Sequence, residues 1–292
     1  MVHSGIEYAA MQRIAESYLL LKFGGGFNNQ ELAHIFKSWN DGELHSYLIG
    51  ITAGIFREAD DLGDGELIDR IKDSAKQKGT GRWASIEALK QGVDISMITS
   101  ACTARIMSNH LDEREKAWQL IHSPAVGLSP DKESFAAMVR EALYTGKIIA
   151  YAQGFSLMQD ASRLYGWNLD LGKIASIFRA GCIIQAVFLN DITHAFEAEP
   201  KPESLIFDGF FLSRINEHQD SLRQAVSTGV MNGLPIPALC NAVSYLDEFR
   251  AKAAGANLIQ AQRDCFGAHT YERTDREGVF HHEWRGAKDN QH

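Results

Sequence analysis

Residues 6–26 read IEYAAMQRIAESYLLLKFGGG, and this stretch decides the fold class. From Met11 onwards the apolar side chains Ile14, Tyr18 and Leu21 follow at steps of three and four residues. That spacing is typical of one buried stripe on an α-helix. Three consecutive glycines then end the pattern, because glycine is unfavourable inside a helix. The stretch therefore predicts an amphipathic helix.

The helical spacing repeats in the segments that follow. Apolar residues at 32–39 and 44–55 keep it, and residues 129–133 supply the cap residues and early acids of a helix start. Residues 168–196 are the most apolar part of the chain, and their apolar side chains form more than one stripe. We expect a helix there at the centre of the domain, covered on several sides. Two or three further helices fit between 203 and 254.

The chain changes character near residue 255. All six prolines lie at or after position 124, and the long proline-free spans favour helices. After 255, glycines punctuate a polar and aromatic segment without clean periodicity, and no strand-like alternation stands out anywhere. We therefore predict an all-α protein with a helical domain at 1–254 and an extended C-terminal tail at 255–292. The tail either packs along a surface or reaches into a partner chain.

Composition excludes several classes of function. The 292 residues include 37 acidic and 29 basic side chains, a net charge of −8. Without a basic block, we expect no binding to nucleic acid or to anionic membranes. Residues 1–4 lack the start of a signal peptide, and no apolar run approaches about 18 residues, so we expect neither export nor a membrane span. The four cysteines lack metal-ligand spacing, which predicts reduced thiols in a cytoplasmic protein without a metal site.

A glycine-rich segment, residues 78–84, formally contains the pattern G-x-G-x-x-A. A dinucleotide fingerprint must follow an apolar strand, and here a polar helix end precedes it, so we reject that interpretation. Two interpretations remain equally good. The segment is either a small anion site, with backbone amides, the Thr80 hydroxyl and the charges of Lys78 and Arg82, or a glycine turn between helices.

Three further positions carry weaker signals. His3 and Glu7 would share a helix face, where a buried carboxylic acid could act as a general acid, although a surface glutamate is the better interpretation from spacing alone. Arg105 stands among apolar residues, which predicts an acidic partner, either a protein carboxylate or a ligand phosphate. In the tail, Arg263 and His269 lie six residues apart around a glycine.

Five segments in order resemble the C-terminal domain of the decarboxylating 6-phosphogluconate dehydrogenases, enzymes of the pentose phosphate pathway. The segments are residues 1–8, 31–44, 78–83, 179–184 and 262–271. The resemblance implies an all-helical fold of that family's C-terminal type. It also implies the oxidation of 6-phosphogluconate by NADP to a 3-keto acid, which loses carbon dioxide to give ribulose 5-phosphate.

The resemblance also implies site residues. Glu7 matches the acid that protonates the enediol carbon, and His3 falls where the family contacts the sugar acid. Ser4 falls where a family residue reaches both the substrate and the nicotinamide. The family has asparagine at the Ser4 position, so that contact is expected to change. The phosphate side is matched by Tyr8, Lys78, Thr80 and Arg105. Arg263 and His269 match the pair that a neighbouring subunit's tail contributes, which implies an obligate homodimer with exchanged tails.

Two parts of the family's machinery are not in this sequence. The catalytic lysine directly precedes the Met-Val-His segment in the family, and Met1 is the first residue here. The NADP-binding Rossmann domain is also missing. We therefore expect a C-terminal fragment, a split-gene product or a mis-started gene model that lacks dehydrogenase activity alone. The alternatives are a dimeric binder of phospho-sugar acids, a complement to a separate Rossmann-domain partner, and an inactive dimeric relic.

Overall fold

A computed structural model describes residues 1–122, 124, 127, 129 and 131–284. The chain divides into two compact units, Met1–Tyr245 and Leu246–His292. Helices make up most of the first unit, and the predicted all-α class is confirmed. The units divide between 245 and 246, whereas the change of composition lies near 255. None of the described helices is both long and apolar enough to cross a membrane.

The opening helix is confirmed, and it reaches back almost to the first residue. Helix α1 spans Val2–Leu19 and continues as one π-helical turn, Leu20–Gly24. The next two helices, α2 (Asn29–Asn40) and α3 (Tyr47–Ile55), also match their predicted segments. A reciprocal capping box begins α2, in which the Asn28 side chain accepts from the third helical amide.

The remaining helices of the described chain complete the fold. Helix α7 begins at Lys132 with Asp131 as its cap, as predicted, while position 130 of that predicted start lies outside the described residues. The two 3-10 turns are Leu67–Arg70 and Leu205–Phe207. The helix bounds are α4 Thr80–Gln91, α5 Ser96–Ser108, α6 Leu111–Leu120, α7 Lys132–Tyr165, α8 Leu171–Ile177, α9 Phe188–Glu197, α10 Gly209–Met231 and α11 Pro237–Arg250.

The centre of the first unit is helix α7, so the prediction of a central helix at 168–196 is wrong. Helix α7 is 34 residues long, is buried over much of its length and packs against α1, α5 and α10. The segment 168–196 instead forms two short helices, and Ile177 at the end of the first is 69% exposed. Between them Gly181 adopts a left-handed conformation, and Ala186 pairs as an isolated bridge with Ser46. These two features divert the backbone from a continuous helix.

A buried carboxylate joins α1 to the start of α11. Glu16 has no exposed surface, and its two oxygens accept hydrogen bonds from the backbone amides of Ala238 and Leu239 at 2.8 Å each. The Gln12 side chain donates a third bond at 3.0 Å. Burial raises the pKa of Glu16 to about 7, although these hydrogen bonds oppose the rise. Glu16 thus satisfies amides at a helix start that lack intrahelical partners.

The second unit contains a helix that the sequence pattern did not predict. Helix α12 spans Ala256–Gly267 and is followed by an antiparallel pair of short strands, β1 (Tyr271–Glu272) and β2 (Val279–Phe280). The buried residue of α12 is Asp264, while apolar side chains of the helix, such as Phe266 at 74%, are exposed. A helix without a buried apolar stripe gives no periodic signal, which explains why it was missed.

Candidate functional site

The first two turns of α1 carry four of the predicted site residues. His3, Ser4 and Glu7 are half-buried, and Tyr8 is buried. The four-residue spacing brings the His3 Nδ1 atom to 3.8 Å from the Glu7 Oε2 atom, because residues four apart lie on one helix face. Ser4 lies one turn before Tyr8 on the same helix. The helix start thus gathers an imidazole, a carboxyl group and a hydroxyl group within two turns.

His3 is held in a partly apolar environment. Its ring meets the ring of Phe178 edge-on, with centroids 5.2 Å apart. Burial lowers the pKa of His3 from its ordinary value, and the nearby Glu7 carboxylate opposes this shift. The Nε2 atom is buried and lacks a hydrogen-bond partner within the described protein. His3 therefore keeps one ring nitrogen for a ligand group, and sequence reasoning gave no sign of the contact from Phe178.

Arg105 lies flat against an aromatic ring. Its guanidinium carbon is 3.6 Å from the centroid of the Tyr8 ring, and its Nη2 atom donates to the Met11 sulfur at 3.1 Å. No carboxylate of the described residues lies within ion-pair distance of Arg105. The interpretation of Arg105 as half of an internal salt bridge is therefore wrong. Arg105 is thus held by an aromatic ring and a thioether sulfur and not by a carboxylate.

The glycine-rich segment meets Tyr8 at the start of α4. Gly79 is the helix cap and takes a left-handed conformation with φ of 93°, and Thr80 is the first helical residue. A Cβ atom on Gly81 would lie only 2.6 Å from the Tyr8 ring, so the close approach of α4 to α1 requires glycine at this position. Helices α1, α4 and α5 pack against one another. The fold thus brings the α4 start, Tyr8 and Arg105 together.

The residues before the glycine-rich segment decide whether that segment could hold the pyrophosphate of NADP. Residues 72–79 ahead of α4 are irregular, and the strands of the described chain lie at 271–272 and 279–280. A dinucleotide cradle needs a strand that leads into the glycine turn. Lys78 is exposed in this loop directly before the helix cap. The residues present therefore do not fit an NADP pyrophosphate, and they form a smaller cationic helix start.

The two tail candidates, Arg263 and His269, belong to the second unit. Both side chains are exposed. The Arg263 Nη1 atom donates to the Gln260 side chain at 2.9 Å, and the His269 ring lies edge-on to Phe266 with centroids 5.8 Å apart. The His281 Nδ1 atom lies 2.9 Å from the Asp264 Oδ1 atom in the same unit. Among the described residues no group of three or more His, Cys, Asp or Glu side chains could hold a metal ion.

Comparisons with known proteins identify the family of the chain. The family model described as 6-phosphogluconate dehydrogenase, C-terminal domain, matches residues 1–284. The decarboxylating 6-phosphogluconate dehydrogenase of Lactococcus lactis is 49% identical over 97% of this chain, and that of Staphylococcus aureus is 48% identical over the same share. In both cases the chain spans only 60% of the relative's length.

A solved structure is also similar to this chain over most of its length. The 6-phosphogluconate dehydrogenase of Plasmodium falciparum has been studied in its apo form, with its cofactor NADP+ and with its substrate 6-phosphogluconate. It superposes with a TM-score of 0.94 at 42% identity, over 97% of this chain and 61% of that chain. The chain belongs to the 6-phosphogluconate dehydrogenase family and corresponds to its C-terminal domain.

Proposed function

We propose that this chain supplies the substrate-binding and dimerisation part of an NADP-dependent, decarboxylating 6-phosphogluconate dehydrogenase. The reaction would convert 6-phosphogluconate to ribulose 5-phosphate and carbon dioxide. The observation that carries the proposal is the Arg105 guanidinium stacked on Tyr8 without a protein carboxylate, next to the start of α4. A fixed, unpaired cation beside a helix start suits a phosphate group.

The phosphate end of the substrate would meet groups from α4, α5 and a second subunit. Arg105 offers planar donors, Thr80 a hydroxyl group, and Lys78 a mobile ammonium group from the exposed loop. Gly79 leaves the backbone amides of the first turn without a side-chain cap, so they would be the donors for the phosphate. In this proposal the Tyr8 ring holds Arg105 in place, and the Tyr8 hydroxyl group contacts the phosphate.

The sugar-acid end would lie along the first turn of α1. His3 would bond a substrate oxygen through its unpartnered Nε2 atom, and its lowered pKa favours the neutral ring near pH 7. Glu7, 3.8 Å from His3, would deliver the proton to the enediol carbon after carbon dioxide leaves. Ser4 would replace an amide contact of the family with one hydroxyl group.

The hydride step would depend on residues outside this chain. The described residues hold no strand-led glycine turn, so the NADP-binding part must come from elsewhere, either as an upstream domain of a longer protein or as a separate Rossmann-domain partner. We expect the 292-residue chain alone to bind substrate without forming NADPH. The alternative, a non-catalytic dimeric binder of phospho-sugar acids, uses the same phosphate groups.

The proposed assembly is a cytoplasmic homodimer with exchanged tails. The tail leaves large apolar side chains uncovered, including Leu258, Ile259 and Phe266. Exposed apolar groups of this size are typical of surfaces that a partner covers. Arg263 and His269 of one subunit would then join Lys78 and Arg105 of the other around one phosphate. The four cysteines are free thiols, which suits a reducing compartment.

Calorimetry with two ligands tests the proposal. We expect the chain to bind 6-phosphogluconate and to bind gluconate, the same acid without phosphate, at least tenfold more weakly. An NADPH absorbance assay on the same preparation should stay at background. No heat with millimolar 6-phosphogluconate would contradict the binding function, and NADPH formation would contradict the need for a separate cofactor part.

A further inference from the structure

A carboxylate is the centre of the tail. From residue 251 to residue 284, all of which are described, the buried residue is Asp264, which has no exposed surface. Apolar side chains hold most small units together, whereas the apolar side chains of this segment are exposed or half-buried. A lone buried carboxylate must be fully hydrogen-bonded, because an unpaired charge is costly to bury. Its partners therefore define the structure of the tail.

Four donors from two parts of the tail, the turn at Thr270 and residues 281–284, converge on Asp264. The Oδ1 atom accepts from the Thr270 amide at 2.9 Å and faces the His281 Nδ1 atom at 2.9 Å. The Oδ2 atom accepts from the His282 amide at 3.1 Å and from the Trp284 indole at 2.8 Å. These bonds tie helix α12 to the turn that follows it and to the strand end beyond β2. Burial alone would raise the pKa of Asp264, but the bonds from His281 and Trp284 and from the two amides outweigh it and lower the pKa, so the group is ionised.

The turn that Asp264 fixes is the one that presents His269. Ala268 and Thr270, on either side of His269, both have positive φ, 50° and 63°, which non-glycine residues adopt only when their surroundings enforce it. The His269 ring packs so close to Gly267 that a Cβ atom there would lie 2.9 Å from the ring. The bond from Thr270 to Asp264 holds this turn closed.

Arg263 is held through the same network. The Gln260 side chain donates to the Thr270 carbonyl and accepts from Arg263 at 2.9 Å. Asp264 is the nearest carboxylate in sequence, yet its oxygens are occupied by the four tail donors. Side chains of adjacent helical residues do not face each other, so Arg263 does not add to these bonds. The network thus orders Arg263 through Gln260.

We propose that Asp264 is the positioning residue of the tail, which fixes Arg263 and His269 in the arrangement that binds the substrate phosphate. The inference rests on the proposed function in assigning those two residues to the phosphate. Asp264 itself touches no substrate. Its effect should therefore appear as a loss of affinity for phosphorylated ligands, together with a loss of order in the tail, while the helical first unit stays intact.

The test compares two isosteric variants of the full chain. Asp264→Asn replaces one acceptor oxygen by a donor, which must face an amide or the indole, whereas Asp275→Asn removes an exposed carboxylate that pairs only with Arg273 and Arg276 in the hairpin loop. We expect Asp264→Asn to shift the Trp284 indole and Thr270 amide signals in nitrogen-15 NMR spectra and to weaken 6-phosphogluconate binding at least tenfold. Gluconate affinity and the main unfolding transition should not change, and Asp275→Asn should change none of these.

Each of the other possible results would contradict a specific part of the proposal. Unchanged 6-phosphogluconate affinity in Asp264→Asn would overturn the inference, whether or not the Trp284 signal moves. An equal loss of gluconate affinity would also overturn it, since that result indicates a general defect. If the wild-type chain fails to bind 6-phosphogluconate, the proposed function fails, and the inference fails with it as a statement about phosphate. The NMR signals would then still decide whether Asp264 orders the tail.

Discussion

Two carboxylates among the described residues have no exposed surface, and their pKa values move in opposite directions. Glu16 in the first unit has a pKa raised to about 7, whereas Asp264 in the second unit has a lowered pKa. Glu16 lies among packed helices, where desolvation exceeds the effect of three hydrogen bonds. Asp264 lies in a segment without buried apolar side chains, and its oxygens accept hydrogen bonds from four donors. Burial therefore does not fix ionisation; the balance of desolvation and donors does.

The same contrast separates the two halves of the proposed phosphate site. In the first unit, apolar packing and an aromatic ring hold Arg105, so its position follows from the folding of the helices. In the tail, Arg263 is held by a hydrogen bond to Gln260, and the turn that carries His269 is held by the bond from Thr270 to Asp264. We expect the first half to form with the core and to respond to changes in packing. The second half should respond to changes in donors and acceptors.

The largest expected effect is the pH response of the first unit. A folded pKa of about 7 against an ordinary value of 4.5 means that the folded state binds more protons between these values. The Glu16 contribution to the free energy of unfolding is therefore present below pH 4.5 and falls as the pH rises to about 7, by at most about 3 kcal/mol. Urea unfolding at several pH values should show this fall, and Glu16→Gln should flatten it.

The control for this experiment is Glu115→Gln on the exposed face of α6, where the carboxylate bonds only to the nearby Gln119. It should leave the pH profile of the wild type unchanged. A Glu16→Gln profile parallel to the wild type would show that Glu16 does not titrate in this range. The contrast between the two buried carboxylates would then disappear.

The next effect concerns the cation of the first unit. Arg105→Ala removes the proposed charge-assisted bonds to phosphate, and we expect 6-phosphogluconate affinity to fall by about 10- to 100-fold per bond lost. Gluconate affinity should change little. The matched control is Arg163→Ala on the surface of α7, where the arginine pairs with Asp160. Equal affinity of the Arg105→Ala and Arg163→Ala chains for 6-phosphogluconate would remove Arg105 from the site.

A smaller effect is expected from one added methyl group. Gly81→Ala places a Cβ atom 2.6 Å from the Tyr8 ring, so Tyr8 or α4 must move and Arg105 with it. We expect a loss of about 1–3 kcal/mol in the free energy of unfolding and a roughly tenfold weaker affinity for 6-phosphogluconate. Gly54→Ala in α3 is the control, because a Cβ atom there meets nothing within 4 Å. If the Gly81→Ala chain matches this control in urea unfolding and calorimetry, the approach of Gly81 to Tyr8 tolerates an added methyl group.

Sequence periodicity predicted the fold class and several helices, and it failed where burial is polar. Helix α7 is the central helix, but it buries Thr145, Lys147 and Gln153 among its apolar residues, so the more uniformly apolar 168–196 segment looked more central. Helix α12 buries a carboxylate and was not predicted. Hydrophobic patterns detect apolar faces, and both misses involve buried polar groups, which such patterns do not detect.

The contacts of the candidate site could likewise be predicted only where they lie within one helix. The four-residue spacing of His3 and Glu7 predicted their shared face, because that contact is local to one helix. The contacts of His3 with Phe178, of Gly81 with Tyr8 and of Tyr8 with Arg105 join separate elements, which no local pattern encodes. The left-handed turn around His269 was also hidden, since Ala268 and Thr270 are not residue types that predict positive φ.

Mixing two variants tests the central claim most directly. Arg105→Ala damages the site of its own first unit, and Arg263→Ala damages the tail. If tails are exchanged, a mixed dimer contains one site with an intact Arg105 and an intact partner tail, and one site that lacks both. We predict that each variant alone binds 6-phosphogluconate weakly and that mixing restores wild-type affinity at one site per mixed dimer. If dimers of confirmed mixed composition bind no better than either variant alone, the claim that two subunits build one phosphate site is contradicted.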